Sequence, residues 1–288
     1  MKLIESGIAY QRVELPQLTR HNVCNPSIIA TEHGYECVVR GVNYDLEKSK
    51  NDYVFYYGSY AVPFPDTQNY YAILTDDLSV LSYWFLEDRH LRTNIFSLEG
   101  IEDLRLFHWQ GRKYFIGNAV NYPSGSATIT LMSMGANVLN LECMFDSPTK
   151  AKIEKNWMPF VQDDTLTFLY TPNGQVLTYK DGLTLSHADR PVELPNWSGS
   201  SCVMQKDGKY YAVVHQRVKS TYTHKLVEYD VTGKPLWQSK EFSFEHDGIE
   251  FCAGMAFKGD DVVFSYGVMD KKAVLLKVKF ADFMGVVK

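Results

Sequence analysis

The common catalytic signatures are missing from this chain. No GxGxxG, P-loop, HExxH or GxSxG occurs, so dinucleotide binding, P-loop phosphoryl transfer, zinc-peptidase chemistry and serine-nucleophile hydrolysis have no support. The five cysteines (Cys24, Cys37, Cys143, Cys202, Cys252) are odd in number, widely spaced and mostly inside apolar runs, with no CxxC. Neither a zinc site nor a redox pair is indicated, and buried reduced thiols in a cytoplasmic protein with no metal or organic cofactor are expected. No apolar run approaches membrane-spanning length, and Met1-Lys-Leu-Ile-Glu-Ser6 lacks an apolar signal-peptide core, so no membrane partner is expected. Basic residues form no cluster and the net charge is −5, which argues against a nucleic-acid backbone as partner but leaves nucleotide-sized substrates open. No amphipathic helix longer than two turns, no linker and no low-complexity segment stands out.

What is present is β-prone and repetitive. With 45% hydrophobic and 22% charged residues, the 288-residue chain has material for a substantial core and little for disordered tracts. Tyrosine and phenylalanine are abundant, as strands favour; aromatic faces also suit sugar rings. A hairpin unit recurs five times, each with two short apolar runs around a turn. Asn25-Pro-Ser-Ile-Ile29 leads through His33-Gly34 to Cys37-Val-Val39. Leu104, Leu106 and Phe107 lead through Gln110-Gly111 to Tyr114-Phe-Ile116. The third unit starts at Asn156-Trp-Met-Pro-Phe160, the fourth at Ser200-Ser-Cys-Val-Met204 and the fifth at Cys252-Ala-Gly-Met-Ala-Phe257. In three units a polar residue opens the hairpin and another closes it fifteen positions later: Asn25 and Arg40, Asp103 and Asn118, Ser200 and His215.

Repeats of this size with about four short strands predict an all-β, five-bladed β-propeller over residues 1–288 as a single domain. Residues 1–24 read as a lead-in strand that closes the ring. Residues 41–70 read as a loop over one mouth, and Ala273–Phe280 as a last strand. The first strand of a blade lies nearest the axis, so Asn25, Asp103, Asn156 and Ser200 are expected to converge on a pocket at one mouth of the channel.

Glu102 and Asp103 are neighbours, and on a regular strand only one of them faces the axis. Asp103 is in phase with Asn25, Asn156 and Ser200, with Arg105 on its side; the alternative is a turn aspartate paired with Arg105. Lys155 places an ammonium near the same mouth or else is a solvated strand end. Arg40 and His215 close their hairpins at matched positions; two cations there suit an anion, while a lone histidine after an apolar run also reads as buried. Asp270 follows Ser265-Tyr-Gly-Val-Met269 as either a pocket carboxylate or a turn residue. Tyr44, Tyr222 and Tyr266 are candidate sugar-facing rings.

With these residues in view the chain resembles the five-bladed propeller enzymes of glycoside hydrolase family 130, the mannoside phosphorylases and β-mannosidases, and the similar β-1,2-mannosyltransferases. The matching elements are Asn25-Pro26, Glu102-Asp103-Leu104-Arg105, Lys155-Asn156, Ser198-Gly-Ser-Ser201, His215 with Tyr222, and Tyr266-Gly-Val-Met-Asp270, in order along the chain. The resemblance implies inverting chemistry at a glycosidic bond, with Asp103 as general acid. It implies Lys155, His215 and Tyr222 around an anion, and Arg40, Asn43 and Asp270 on sugar hydroxyls, within a wider substrate site of Asn25, Tyr44, Glu102, Arg105, Asn156, Ser200 and Tyr266. The expected partners are a small-molecule or oligosaccharide substrate and, as co-substrate, inorganic phosphate or a sugar nucleotide. Leu104 stands where the family has proline, and the family's arginine-rich run is replaced by His108-Trp-Gln-Gly-Arg112. The departures keep water-driven hydrolysis and transfer from a sugar nucleotide open beside phosphorolysis. A non-catalytic glycan-binding propeller is a further alternative.

Overall fold

The computed structural model describes residues 1–17, 20–45, 54–57, 60–62, 65–92, 100–121, 125–180, 182–187 and 192–288. Five antiparallel sheets follow one another as propeller blades. The first blade runs outward through Asn22–Thr31, Gly34–Val42, Thr67–Leu74 and Val80–Leu86. The second uses Ile101–Trp109, Arg112–Asn121, Ser126–Gly135 and Val138–Met144, and the third Met158–Gln162, Thr165–Thr171, Gln175–Tyr179 and Leu183–His187. In the fourth, Ser198–Gly199 and Met204–Lys206 both pair with Lys209–Val218, which is followed by Thr221–Tyr229 and Pro235–Gln238. The fifth has Glu250–Lys258, Asp261–Val268 and Lys272–Lys279, and its fourth strand is the N-terminal Tyr10–Glu14. Tyr10 pairs with Val278 and Glu14 with Val274, so the lead-in strand closes the ring as the sequence predicts.

The inner strands are buried almost without interruption, as in Val23 to Ile29 and Phe251 to Ala256, because both of their faces are covered by neighbouring blades. The core is divided among the blade junctions. Ile28 and Cys37 meet Val263 and Leu275 between the first and fifth blades, and Ile29 and Tyr71 meet Leu106 and Phe115 between the first and second. Phe107 and Ile129 meet Trp157 and Phe168, Met158 and Leu169 meet Ala212 and Val227, and Val213 and Leu226 meet Phe264 and Leu276. All five cysteines are free thiols. Burial pushes the Cys202 thiol up to about 12.

The structure differs from the sequence expectation at two places. The last strand stops at Lys279, and Phe280–Val287 is a helix that buries Phe283, Met284 and Val287 against the fourth and fifth blades. Within the expected mouth loop, Phe55–Tyr57 and Tyr60–Val62 pair as a small ribbon, while Thr67–Leu74 already belongs to the first blade; 46–53, 58–59 and 63–64 lie outside the described residues. No described helix is long and apolar enough to cross a membrane.

Candidate active site

The site is built by a repeated break in the inner strands. Asn25, Asp103 and Asn156 all have left-handed backbones, with φ of 44°, 50° and 64°. Asparagine and aspartate tolerate that conformation better than other non-glycine residues, which accounts for their presence at these positions. In the first blade Cys24 pairs with Arg40 and Ser27 with Val38, leaving Asn25 and Pro26 opposite Val39. In the second, Glu102 pairs with Asn118 and Arg105 with Ile116, leaving Asp103 and Leu104 opposite Gly117. Each is a β-bulge, and a bulge suspends the in–out alternation of side chains. The expectation that only one of Glu102 and Asp103 faces the axis is therefore overturned: both line the same cavity. Gly267 is obligatory beside this bulge, because a Cβ there would collide with Asn25. Gly199 is held to glycine in the same way by the backbone of Asn156.

The cavity has a volume of about 280 Å³. The structure brings Asn25, Arg40, Tyr44, Glu102, Asp103, Lys155, Asn156, His215, Tyr222 and Asp270 to its walls, although they come from all five blades and the loop after the first hairpin. Arg40 is buried and donates from Nη1 to Asp103 Oδ1 at 3.0 Å and from Nη2 to Glu102 Oε1 at 2.7 Å. Asn25 Nδ2 donates to the same Asp103 oxygen at 2.9 Å. Tyr44 donates its hydroxyl to Asp270 Oδ2 at 3.0 Å.

These contacts split the three carboxyls. Burial works to raise Asp103, but the charge of Arg40, the Asn25 N–H and the charge of Arg105 outweigh it and hold the group below the usual carboxylate range. Glu102 moves the other way: burial, with the nearby charges of Asp103 and Asp270, outweighs Arg40 and Lys155 and raises it. Asp270 is raised chiefly by burial and also by Asp103, against the pull of Arg40 and the Tyr44 hydroxyl. Carboxyls driven apart in this way are the usual basis for dividing acid and base roles.

His215 is not the second cation that its match with Arg40 suggested. Burial, then the charges of His224, Arg105 and Lys155, hold its pKa down to about 3, so the ring is neutral. Its Nδ1 and Ser200 Oγ are hydrogen-bonded at 3.2 Å. The ring stacks on Tyr222, with centroids 5.6 Å apart and 19° between planes, and meets the edge of Phe251 at 4.9 Å.

Four expected substrate contacts are not at the cavity wall. Arg105 is fully buried and reaches across blades, donating from Nε to the Ser200 carbonyl and from Nη2 to Asn156 Oδ1 at 3.4 Å. No ion pair joins it to Asp103 among the described residues, although its charge still helps to lower the Asp103 carboxyl. Ser200 is buried behind His215. Asn43 is also buried, its Oδ1 accepting the Asp66 N–H at 2.7 Å. Tyr266 is fully buried in the core and stacked on Phe244 at 4.3 Å, so it is not a sugar-facing ring.

The sequence reading missed Arg217, Asn118, Ile249 and Phe251 as wall residues. Arg217 stands two positions beyond His215 on Lys209–Val218 and so shares its face, a signal that period-two alternation carries. Its guanidinium lies 5.7 Å from the Tyr222 ring centroid. Neither Arg217 nor Lys155 has a carboxylate partner among the described residues. Asn118 was legible as the closing residue of its hairpin; it is buried and its Oδ1 has no hydrogen-bond partner. No group of three or more His, Cys, Asp or Glu side chains suited to a metal ion occurs among the described residues.

No protein-family model matches the chain, and no curated protein matches it in sequence. Solved structures do match in fold. A β-1,2-mannobiose phosphorylase from Listeria innocua, in complex with β-1,2-mannobiose, aligns over 97% of this chain and 99% of its own with TM-score 0.63 at 13% identity. A member of glycoside hydrolase family 130, described among hydrolases that target β-1,2-mannosidic linkages in Candida mannan, aligns over 91% of this chain and 85% of its own with TM-score 0.66 at 12% identity. A GDP-Man-dependent mannosyltransferase from Leishmania mexicana aligns over 94% of this chain and 90% of its own with TM-score 0.60 at 12% identity. The likeness is one of fold, and the fold is the five-bladed propeller of the glycoside hydrolase family 130 structures.

Proposed function

We propose that the protein is a carbohydrate-active enzyme that makes or breaks a glycosidic bond with inversion, using an anionic co-substrate at the propeller mouth. The observation that carries this reading is the wall composition. Three carboxyls gathered around one buried arginine face the same small cavity as two cations with no carboxylate partner among the described residues, Lys155 and Arg217. A sugar ring of the size that fits this cavity has hydroxyls for the carboxylates and Asn25, and an apolar face for Phe251 and Ile249. Lys155, Arg217 and the Tyr222 hydroxyl supply charge and hydrogen bonds for phosphate, free or carried by a sugar nucleotide. His215 contributes as a neutral ring rather than as a cation. Arg217 comes from a different blade than the arginine run that the sequence lacks, and it restores a cation to the anion site.

Asp103 lies at the centre of the carboxyl cluster, where the resemblance puts the essential acid. Proton traffic to and from the glycosidic oxygen passes through this cluster, while the co-substrate attacks or leaves on the other face of the sugar. The ionised state of Asp103 also favours a second reading, glycosyl transfer from a sugar nucleotide, in which a cluster carboxylate takes the proton of the acceptor hydroxyl. Product analysis by mass spectrometry tests both. The protein is incubated with a panel of mannosides and other oligosaccharides plus phosphate, and in parallel with sugar nucleotides plus acceptors. A sugar 1-phosphate means phosphorolysis, and free nucleotide released only with acceptor present means transfer. Binding of glycans with no product in either arm leaves a binding propeller and overturns the catalytic reading.

A further inference from the structure

We propose that Glu102, from a wall shared by two cavities, is the residue that exchanges a proton with the glycosidic oxygen, and that Asp103 is a fixed carboxylate that positions the sugar. The proposal rests on the glycosidic-bond reading above and assigns the roles within it.

A second cavity of about 290 Å³ adjoins the first, and Glu102, Asn118 and Lys155 line both. Its far wall is apolar, with Val120, Ala127 and Ile153. A bond linking a sugar in the main cavity to a group in the second must cross the shared wall. A proton donor has to stand within hydrogen-bond reach of that crossing point. Of the three cluster carboxyls, only Glu102 lines both spaces.

The partners of each carboxyl agree with this division. Asp103 Oδ1 accepts from both Asn25 and Arg40, on a bulge that fixes its backbone. Glu102 holds Arg40 through Oε1 alone, and its other oxygen has no partner among the described residues. The groups facing Glu102 are Arg40, Lys155, Asp103 and Asp270, and burial, which outweighs the pull of Arg40, raises its pKa, whereas Arg40 and Asn25 lower that of Asp103 against burial. Asp270 is also raised, but it lines the main cavity alone and takes the Tyr44 hydroxyl.

In cleavage, the Glu102 proton moves to the bridging oxygen as the bond from the anomeric carbon to that oxygen breaks, and the electron pair stays on the oxygen. An oxygen of phosphate forms the new bond to the anomeric carbon from the opposite face, and solvent returns a proton to Glu102. In synthesis, the Glu102 carboxylate takes the acceptor hydroxyl proton as that oxygen bonds to the anomeric carbon. As that bond forms, the phosphate, or the nucleoside diphosphate of a sugar nucleotide, leaves the opposite face of the anomeric carbon with its electron pair. The second cavity holds the leaving or accepting group, a second sugar or another alcohol with an apolar face.

The test compares wild type, Glu102→Gln and Asp103→Asn on two substrates of one glycone, each with phosphate. These are β-1,2-mannobiose and nitrophenyl β-mannoside, or the same pair built on the glycone that product analysis selects. A nitrophenolate leaves without needing a proton. Glu102→Gln is expected to lose about 10²–10⁴-fold on the disaccharide and to stay within about tenfold of wild type on the aryl glycoside. It should also lose the alkaline limb of the pH profile. Asp103→Asn is expected to lose both activities alike. Should Glu102→Gln not fold, Glu102→Asp is read on the same pair, with a greater loss on the disaccharide expected. Full disaccharide activity in Glu102→Gln, or rescue of Asp103→Asn by the aryl leaving group, overturns the proposal. A wild type that turns over neither glycosides nor sugar nucleotides overturns the glycosidic-bond reading itself.

Discussion

Asn25 and Asp103, 78 positions apart in the chain, are joined by a 2.9 Å hydrogen bond from Asn25 Nδ2 to Asp103 Oδ1, and each sits in the bulge of its own inner strand. Two equivalent bulges in adjacent blades thus meet side by side at the mouth, with Arg40 bonded to the same oxygen. The geometry of the candidate site follows from this one repeated irregularity.

Asp103→Asn keeps the size and most hydrogen bonds of the side chain but removes the charge that Arg40 faces. The variant is expected to fold with a near-native circular dichroism spectrum and to lose about 10²-fold or more in turnover through misplacement of the sugar. Unchanged turnover would remove Asp103 from the site.

Arg40→Met leaves Glu102 and Asp103 without their buried counter-charge. Breaking a buried pair from one side typically costs about 3–5 kcal/mol, and chemical denaturation should report a loss in that range. The loss should be greater above neutrality than in acid, where the carboxyls can take up protons instead.

Arg217→Ala removes an exposed cation from the anion site without touching the carboxyl cluster. A charge-assisted hydrogen bond contributes about 1.5–3 kcal/mol, so the KM for the phosphate-bearing substrate should rise roughly 10–150-fold while kcat changes little. Steady-state kinetics at fixed ionic strength checks this, and an unchanged KM argues that the anion binds elsewhere.

Acid stability is set by buried groups near the site. His215 and His224 titrate at about 3 in the folded protein against an ordinary 6.5, burial being the main cause for both. Burial raises Glu250 from 4.5 to about 7. Between pH 6.5 and 4.5 the unfolded chain takes up two protons on these histidines that the folded chain refuses. Over the same window the folded chain keeps one proton on Glu250 that the unfolded chain gives up. Across these three groups the unfolded state therefore binds one more proton, and their combined contribution to stability falls as pH falls through this window. His224→Phe removes one histidine from the balance, and its melting temperature should fall less steeply than that of the wild type as pH drops over the same range, whatever its absolute value.

Much of this architecture was legible. The hairpin repeat gave the blades, and the shared phase of Asn25 and Asp103 located the mouth, while Ser200 in the same phase lies behind the wall. The bulges were not legible, because alternation is the only rule available before the pairing register is known; alternation puts Glu102 on the face opposite Asp103, whereas both line the cavity. Of the two readings open for His215, a cation matched to Arg40 and a buried ring after an apolar run, the structure has the buried, neutral one, at the cavity wall. Tyr266 lies in a motif, yet its ring fills the core, and nothing in the sequence distinguishes a packing tyrosine from a binding one. The helix Phe280–Val287 is not legible in the sequence, because two turns are too short for a helical period to stand out.

The central claim is that carboxyls and unpaired cations at one propeller mouth act together on a glycosidic bond and a phosphate-bearing co-substrate. The most direct test is a ³¹P NMR time course of wild type and Asp103→Asn with glycoside plus phosphate, and with sugar nucleotide plus acceptor. The account predicts a new sugar-phosphate or free-nucleotide resonance with wild type and none with the variant over the same period. No new resonance under any substrate pair, or equal conversion by Asp103→Asn, would contradict it.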